Sequence, residues 1–319
     1  MISEAHAVLR WLLTALCLSA CASSVETTSI DSENMSSPWR HWQTEGPPKA
    51  AILALHGFND YSNAFQDFAT FASERGVAVH AYDQRGFGGN ADAGLWAGTE
   101  RLTGDLRHAI DELRTIYPTT RLYVLGESMG GAVTIVTATQ GERLPVDGLI
   151  LVAPAIWGGD QLNLFYRATL WLASTVAPGW KLTGSGLEIW PSDNVEMLKA
   201  FSADPLVIKG TRTDAVAGLV ALMDEALASL KDLDQEVLVL TGIKDQVVPP
   251  GAFASMRERL SETRCQEIIY PDGYHMLLRD LQRETVYNDV MAWIGDKTLR
   301  SKPPLTCGPE KNISSAQND

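Results

Sequence analysis

Apolar positions along this chain fall into short unbroken runs, separated by segments in which they recur every three or four residues. Ala50–Leu55 is one such run, ended by His56 and Gly57, and its completeness predicts a strand buried on both faces. Phe65, Phe68, Ala69 and Ala72 then share one helical face, with Ser62 placed to cap the helix and Gly76 to stop it. Val77–Tyr82 reads as a second strand. Leu102, Leu106, Ile110 and Leu113 mark another amphipathic helix, followed by an apolar run over 122–125 and a helix-like stretch over 131–139. Further strand runs lie at Gly148–Val152, 236–241 and 266–270. This alternation predicts an α/β fold, a mostly parallel central sheet with helices on both faces.

One gap breaks the rhythm. About eighty residues separate the strand ending near Ala153 from the one beginning at Glu236, far more than an ordinary connection between strand and helix. The segment carries Phe165, Tyr166, Trp171, Trp180 and Trp190, then an Ala/Leu-rich helical pattern over 213–230. It is expected to form a helical cap over residues 159–232. Most of its aromatics are expected to pack the cap's own small core, and about a third to line a pocket.

The two ends read differently from the middle. After Arg10 comes the apolar stretch Trp11, Leu12, Leu13, Thr14, Ala15, Leu16 and Cys17, then Leu18, Ser19, Ala20 and Cys21. Ten residues between Arg10 and Cys21 cannot span a bilayer, which needs roughly twenty, so the stretch reads as a signal peptide over 1–20. L-S-A-C resembles the bacterial lipobox, which implies lipidation of Cys21; a plain secretory signal cut nearby is the alternative. Residues 22 and 23 are Ala and Ser, not Asp, which implies sorting to the outer membrane of an enteric-type envelope, with the domain facing the periplasm. Residues 22–37 are rich in Ser, Thr and acidic side chains and are expected to be a disordered tether with a reach of about 20 Å. The core is then expected over 38–158 and 233–297, and a polar tail without chemistry over 298–319.

At 319 residues and 45% hydrophobic composition, the chain is long enough for one large core with an insertion. Its net charge of −13 argues against nucleic-acid binding and supplies no attraction to anionic lipid, so membrane association rests on the anchor. With Cys17 removed and Cys21 lipidated, Cys265 and Cys307 remain as an even pair in an oxidising compartment. A disulfide between them is one expectation; two separate thiols are the other.

Candidate chemistry centres on Gly126, Glu127, Ser128, Met129 and Gly130, a G-x-S-x-G turn between a strand run and a helix run. A serine on such a sharp turn has small neighbours and an exposed hydroxyl, which points to acyl transfer. Of the six histidines, His6 leaves with the signal, His41 precedes the sheet, His80 lies in a strand and His108 on a helix. His275 follows the last strand in a short loop and is the expected base. Asp245, beyond the strand over 236–241, is the expected orienting acid. Asp272 and Asp280 compete, but lie close to His275 in sequence. Backbone N–H groups of Met129 and Phe58 are the expected oxyanion donors, with Gly57 permitting the turn. Residues 83–88 match no dinucleotide or P-loop spacing and read as a structural turn with an Asp83 to Arg85 interaction. No metal or cofactor is implied.

These residues resemble the α/β-hydrolase superfamily, specifically its monoacylglycerol lipase and lysophospholipase branch, also called serine aminopeptidase S33-like. The resemblance spans roughly residues 40–296 and is carried by L-H-G-F at 55–58, D-Q-R-G-F-G at 83–88 and G-E-S-M-G-G at 126–131. A-D-P-L at 203–206, G-I-K-D-Q-V-V-P at 242–249 and G-Y-H at 273–275 complete it. It implies Ser128 as nucleophile, Asp245 and His275 as its relay, Phe58 and Met129 as donors, and a helical cap. Asn90 stands where relatives commonly carry Ser. The implied activity is hydrolysis of single-chain acyl esters, monoacylglycerols or lysophospholipids. An aminopeptidase gripping its substrate amine with Glu188, Asp193 or Glu196, a small-ester or thioester hydrolase, and a non-catalytic envelope binding protein are the competing readings.

Overall fold

The computed structural model describes residues 25–32, 35–157, 164–184, 186, 188–260, 264–295 and 305–307. The signal peptide expected over 1–20, Cys21, the side chains of Phe165 and Tyr166, and the tail beyond Cys307 lie outside the described part.

Among the described residues, nine strands form one sheet in the order β1-β2-β4-β3-β5-β6-β9-β10-β11. They are β1 Val25–Ser32, β2 Met35–Trp42, β3 Ala50–Leu55, β4 Val77–Tyr82, β5 Arg121–Glu127, β6 Gly148–Val152, β9 Val237–Gly242, β10 Cys265–Tyr270 and β11 Leu305–Thr306. β7 Lys181–Thr183 and β8 Gly210–Arg212 form a separate two-stranded antiparallel sheet. The six strands from β4 to β10 pair in parallel, with β2 antiparallel to β4 and β11 antiparallel to β10.

The unbroken apolar runs follow from the layering. On β3, Leu53 and Leu55 join one buried cluster with the helices Thr99–Ile116 and Met129–Thr139, while Ile52 and Ala54 join the other with Gln66–Ser73 and Arg283–Ile294. Both faces of the strand are therefore dry, and no position in it is left for a polar side chain.

Several expectations change. The 22–37 segment is not an unstructured tether throughout, because β1 and the start of β2 occupy most of it. Its low hydrophobicity hid a β-prone set, Val25, Thr27, Thr28 and Ile30, that pairs with β2. His41 accordingly lies within the sheet, on β2, rather than before it. Ser62 does not cap a helix through its side chain; its N–H donates to Asp83 Oδ1 at 3.0 Å. The turn over 83–88 holds no Asp83–Arg85 pair, since Arg85 pairs with Asp105 at 2.6 Å and Asp83 Oδ2 receives Gly89 N–H.

The cap is also smaller than expected. Helix Thr213–Ser229 buries Leu222, Met223, Ala226 and Leu227 in the same cluster as the helix after Ser128, so it belongs to the core layer. Among the described residues, what remains of the cap is the helix Leu164–Val176, the β7–β8 strand pair and the helix Val195–Ala203. Trp171, Trp180 and Trp190 are more than half exposed, at 67%, 63% and 53%. They do not pack a cap core: three short elements enclose too little volume to cover them.

Cys265 and Cys307 are joined by a disulfide, which ties β11 to β10.

Candidate active site

β5 delivers the chain to Ser128 at the carboxyl edge of the sheet, and the helix Met129–Thr139 begins one residue later. Ser128 has φ 53° and ψ −115°, a conformation L-residues rarely occupy and one that persists only where the surroundings enforce it. The enforcement is visible in its backbone. Ser128 N–H donates to Val152 O at 2.9 Å, and its carbonyl accepts from Gly131, Ala132 and Ala155. A Cβ on Gly126 would strike the Gly130 carbonyl, and one on Gly130 would strike the Leu55 carbonyl. The small residues of the G-x-S-x-G turn are thus required by contact between three backbones.

His275 stands in the loop after β10, and its Nε2 lies 2.9 Å from Ser128 Oγ. Its Nδ1 lies 2.9 Å from Asp245 Oδ2. A carboxylate only accepts, so Nδ1–H donates to Asp245 and leaves Nε2 to accept the serine proton. Asp245 Oδ1 receives the N–H groups of Val247 at 2.7 Å and Val248 at 2.9 Å, which hold the carboxylate in place. Both rival carboxylates are engaged elsewhere. Asp272 is exposed and pairs with Lys244 at 2.6 Å. Asp280 receives Ser192 Oγ at 2.6 Å and Tyr274 N–H at 2.8 Å, and burial pushes its carboxyl up to about 6.

The loop after β3 carries Phe58 and is held by His56. Gln84 N–H donates to His56 Nε2 at 2.9 Å, so Nδ1 carries the proton and donates to Gly57 O at 2.8 Å. Gln84 Nε2 closes the contact on His56 O at 2.7 Å. Burial holds the His56 imidazole below its ordinary value, in line with this neutral form. The Phe58 ring packs edge-on against Phe87. Gly57 backs directly onto Ser128, and Met129, the residue after Ser128, is fully buried.

The cap is fastened to the loops around the serine. Ile208 N–H donates to Asn59 O, and Asn59 Nδ2 donates to Thr211 Oγ1. Met276 N–H donates to Pro191 O, and Trp190 N–H to Gln246 Oε1. Tyr61 OH donates to Asp204 of the A-D-P-L motif at 2.6 Å. A cavity of about 220 Å³ lies under the helix Val195–Ala203, lined by Asp60, Tyr61, Met197, Phe201, Asp204 and Arg279. The three carboxylates considered for an amine grip are placed otherwise. Glu188 is exposed, Glu196 pairs with Lys199 at 2.7 Å, and Asp193 receives Leu281 N–H.

Sequence reasoning missed one group. Arg279 is buried between Asp60 and Glu127, at 2.7 and 3.3 Å. Glu127 sits inside the G-E-S-M-G motif, but nothing in a linear pattern pairs it with an arginine 152 residues away.

Known proteins share this arrangement of elements. The family described as serine aminopeptidase, S33 matches residues 46–282. A monoacylglycerol lipase of Mycolicibacterium smegmatis is 25% identical over 263 residues, covering 79% of this chain and 90% of that protein. The human monoglyceride lipase is 24% identical over 270 residues, covering 81% and 86%. Among solved structures, a soluble variant of the Saccharomyces cerevisiae monoglyceride lipase superposes with a TM-score of 0.73 at 18% identity, covering 87% of this chain and 97% of that one.

Proposed function

The chain belongs to the serine aminopeptidase S33 family of α/β-hydrolases, and from that premise we propose that it is a carboxylic ester hydrolase acting on single-chain acyl lipids, monoacylglycerols or lysophospholipids. The observation that carries this reading is the continuous hydrogen-bonded chain from Ser128 through His275 to Asp245. Ser128 Oγ attacks the ester carbonyl as its proton passes to His275 Nε2. The new imidazolium is stabilised by the Asp245 carboxylate, and the oxyanion by the N–H groups of Phe58 and Met129. Collapse of the tetrahedral intermediate breaks the ester C–O bond, and the imidazolium hands its proton to the departing alcohol. A water deprotonated by His275 then releases the fatty acid and restores the serine.

The choice of acyl lipids rests on the lipases among the relatives and on the apolar side chains that the cap exposes, Trp171, Leu172, Trp180 and Trp190. The protein is placed in the bacterial envelope, anchored through lipid on Cys21. The Cys265–Cys307 disulfide supports an oxidising compartment. Replacing Cys21 with Ala is expected to move the protein from the membrane fraction to the soluble fraction.

A hydrolysis panel of monoacylglycerol, lysophosphatidylcholine, a short-chain ester and a prolyl amide tests the activity, with Ser128→Ala as blank. Turnover of the first two above the others is expected. Faster cleavage of the prolyl amide overturns the lipase reading in favour of a peptidase. A fluorophosphonate that fails to label Ser128 makes the domain a binding protein.

A further inference from the structure

We propose that Arg279 is a positioning residue that locks three loops of the active site into one frame. This rests on the reading of Ser128 as nucleophile. Each loop contributes one member of a buried charge cluster. Glu127 immediately precedes Ser128, Asp60 lies two residues beyond Phe58, and Arg279 lies four residues beyond His275. The guanidinium Nη2 reaches Asp60 Oδ2 at 2.7 Å and Glu127 Oε2 at 3.3 Å. The Asp60 and Glu127 side chains are buried, at 4% and 2% exposure, and that of Arg279 is largely covered, at 11%. The Arg279 backbone is held as well, its N–H donating to Met276 O and its carbonyl receiving Asn194 Nδ2 from the cap.

Stability does not explain the cluster. Burying one guanidinium beside two carboxyl groups strips water from all three, burial raises the Glu127 carboxyl above its ordinary range, and apolar side chains of similar size often do as well or better. The geometry is not a full fork either: Arg279 Nε, Glu127 Oε1 and Asp60 Oδ2 are buried without a hydrogen-bond partner among the described residues, so the Asp60 contact is an ion pair at 2.7 Å and not an aligned hydrogen bond. What the cluster does supply is distance control. Nucleophile, base and oxyanion donors come from three separate loops, and Ser128 stands in a strained conformation that relaxes unless its neighbours restrain it. Misplacement by about 1 Å lowers turnover on the order of 100-fold. A guanidinium bound to all three loops fixes their spacing.

The test compares Arg279→Met, Arg279→Lys, Glu127→Gln and the neutral triple variant Asp60→Asn/Glu127→Gln/Arg279→Met with wild type, using p-nitrophenyl butyrate and a trifluoromethyl ketone inhibitor. Arg279→Met is expected to lower kcat about 30-fold with KM within threefold, because the lost alignment matters in the transition state. The inhibition constant of the ketone, which forms the tetrahedral adduct, rises by the same factor. Arg279→Lys recovers part of both. The triple variant keeps the volume without the charges, so it folds and stays slow. An Arg279→Met or triple variant within threefold of wild-type kcat overturns the proposal, as does a loss confined to KM. Wild-type protein that turns over no ester overturns the underlying reading of Ser128 instead.

Discussion

Gly57 and Ser128 face each other so closely that a Cβ on the glycine would lie 3.3 Å from the serine Cβ. The loop after β3 and the turn that carries Ser128 are therefore in direct contact, and a single methyl group is enough to shift one against the other. Gly57→Ala is expected to keep its melting temperature within about 2–4 °C, as a cost near 1 kcal/mol implies, while losing at least tenfold in kcat on a soluble ester. Gly130→Ala is the contrasting variant: its Cβ meets backbone at Leu55, and it is expected to lose several kcal/mol of stability, about 3 or more. Thermal unfolding and kcat measured on both check the contrast; equal effects of the two would sink it.

Strain at Ser128 has its own signature. Glycine relieves a φ of 53° that alanine retains, so Ser128→Gly is expected to unfold at higher denaturant than Ser128→Ala, by about 1 kcal/mol. Both variants are expected to be inactive, which separates the stability effect from catalysis.

Asp245→Asn and Asp272→Asn decide between the carboxylate at His275 and the exposed one nearby. An amide at 245 presents the wrong group to His275 Nδ1 and is expected to lower kcat by about 10³–10⁴. Asp272, exposed and paired with Lys244, is expected to be replaceable within a factor of about two. A large loss at 272 with little at 245 would reverse the assignment.

Acid sensitivity is expected to come partly from His80. Its Nδ1 lies 2.7 Å from His41 Nδ1 and its Nε2 3.0 Å from Tyr117 OH. Burial, and then the neighbouring His41, hold its imidazole down to about 3. Between that value and about 6.5, the unfolded chain binds the proton and the folded protein does not. Stability therefore rises with pH across this window and is lost as pH falls below 6.5, by about 2 kcal/mol at pH 5 from this group alone. His80→Gln is expected to flatten the dependence of urea midpoint on pH between 4.5 and 7.

Reduction of Cys265–Cys307 opens a loop of 42 residues, and the chain-entropy relation gives a loss of about 4 kcal/mol. Urea unfolding with and without dithiothreitol measures it. An unchanged midpoint would mean that the tail strand is held by β10 without the bond.

The strand runs, the amphipathic helices and the three side chains that meet at the sheet edge, Ser128, His275 and Asp245, were legible in the linear pattern, because each depends on local rules. A strand dry on both faces must be apolar throughout, a strained turn must be flanked by glycine, and Ser, Asp and His stand at the carboxyl ends of strands where the sheet exposes its chemistry. Tertiary contact decided the rest. Only the fold placed Thr213–Ser229 in the core, since a helix that is apolar on much of its surface packs equally well against a cap or a sheet layer. Pairing across the sheet turned the polar Val25–Ser32 into a strand, its backbone paired along its whole length with β2. Arg279, Glu127 and Asp60 met for the same reason. Their attraction acts through space across more than a hundred residues of chain, and periodicity carries no trace of it.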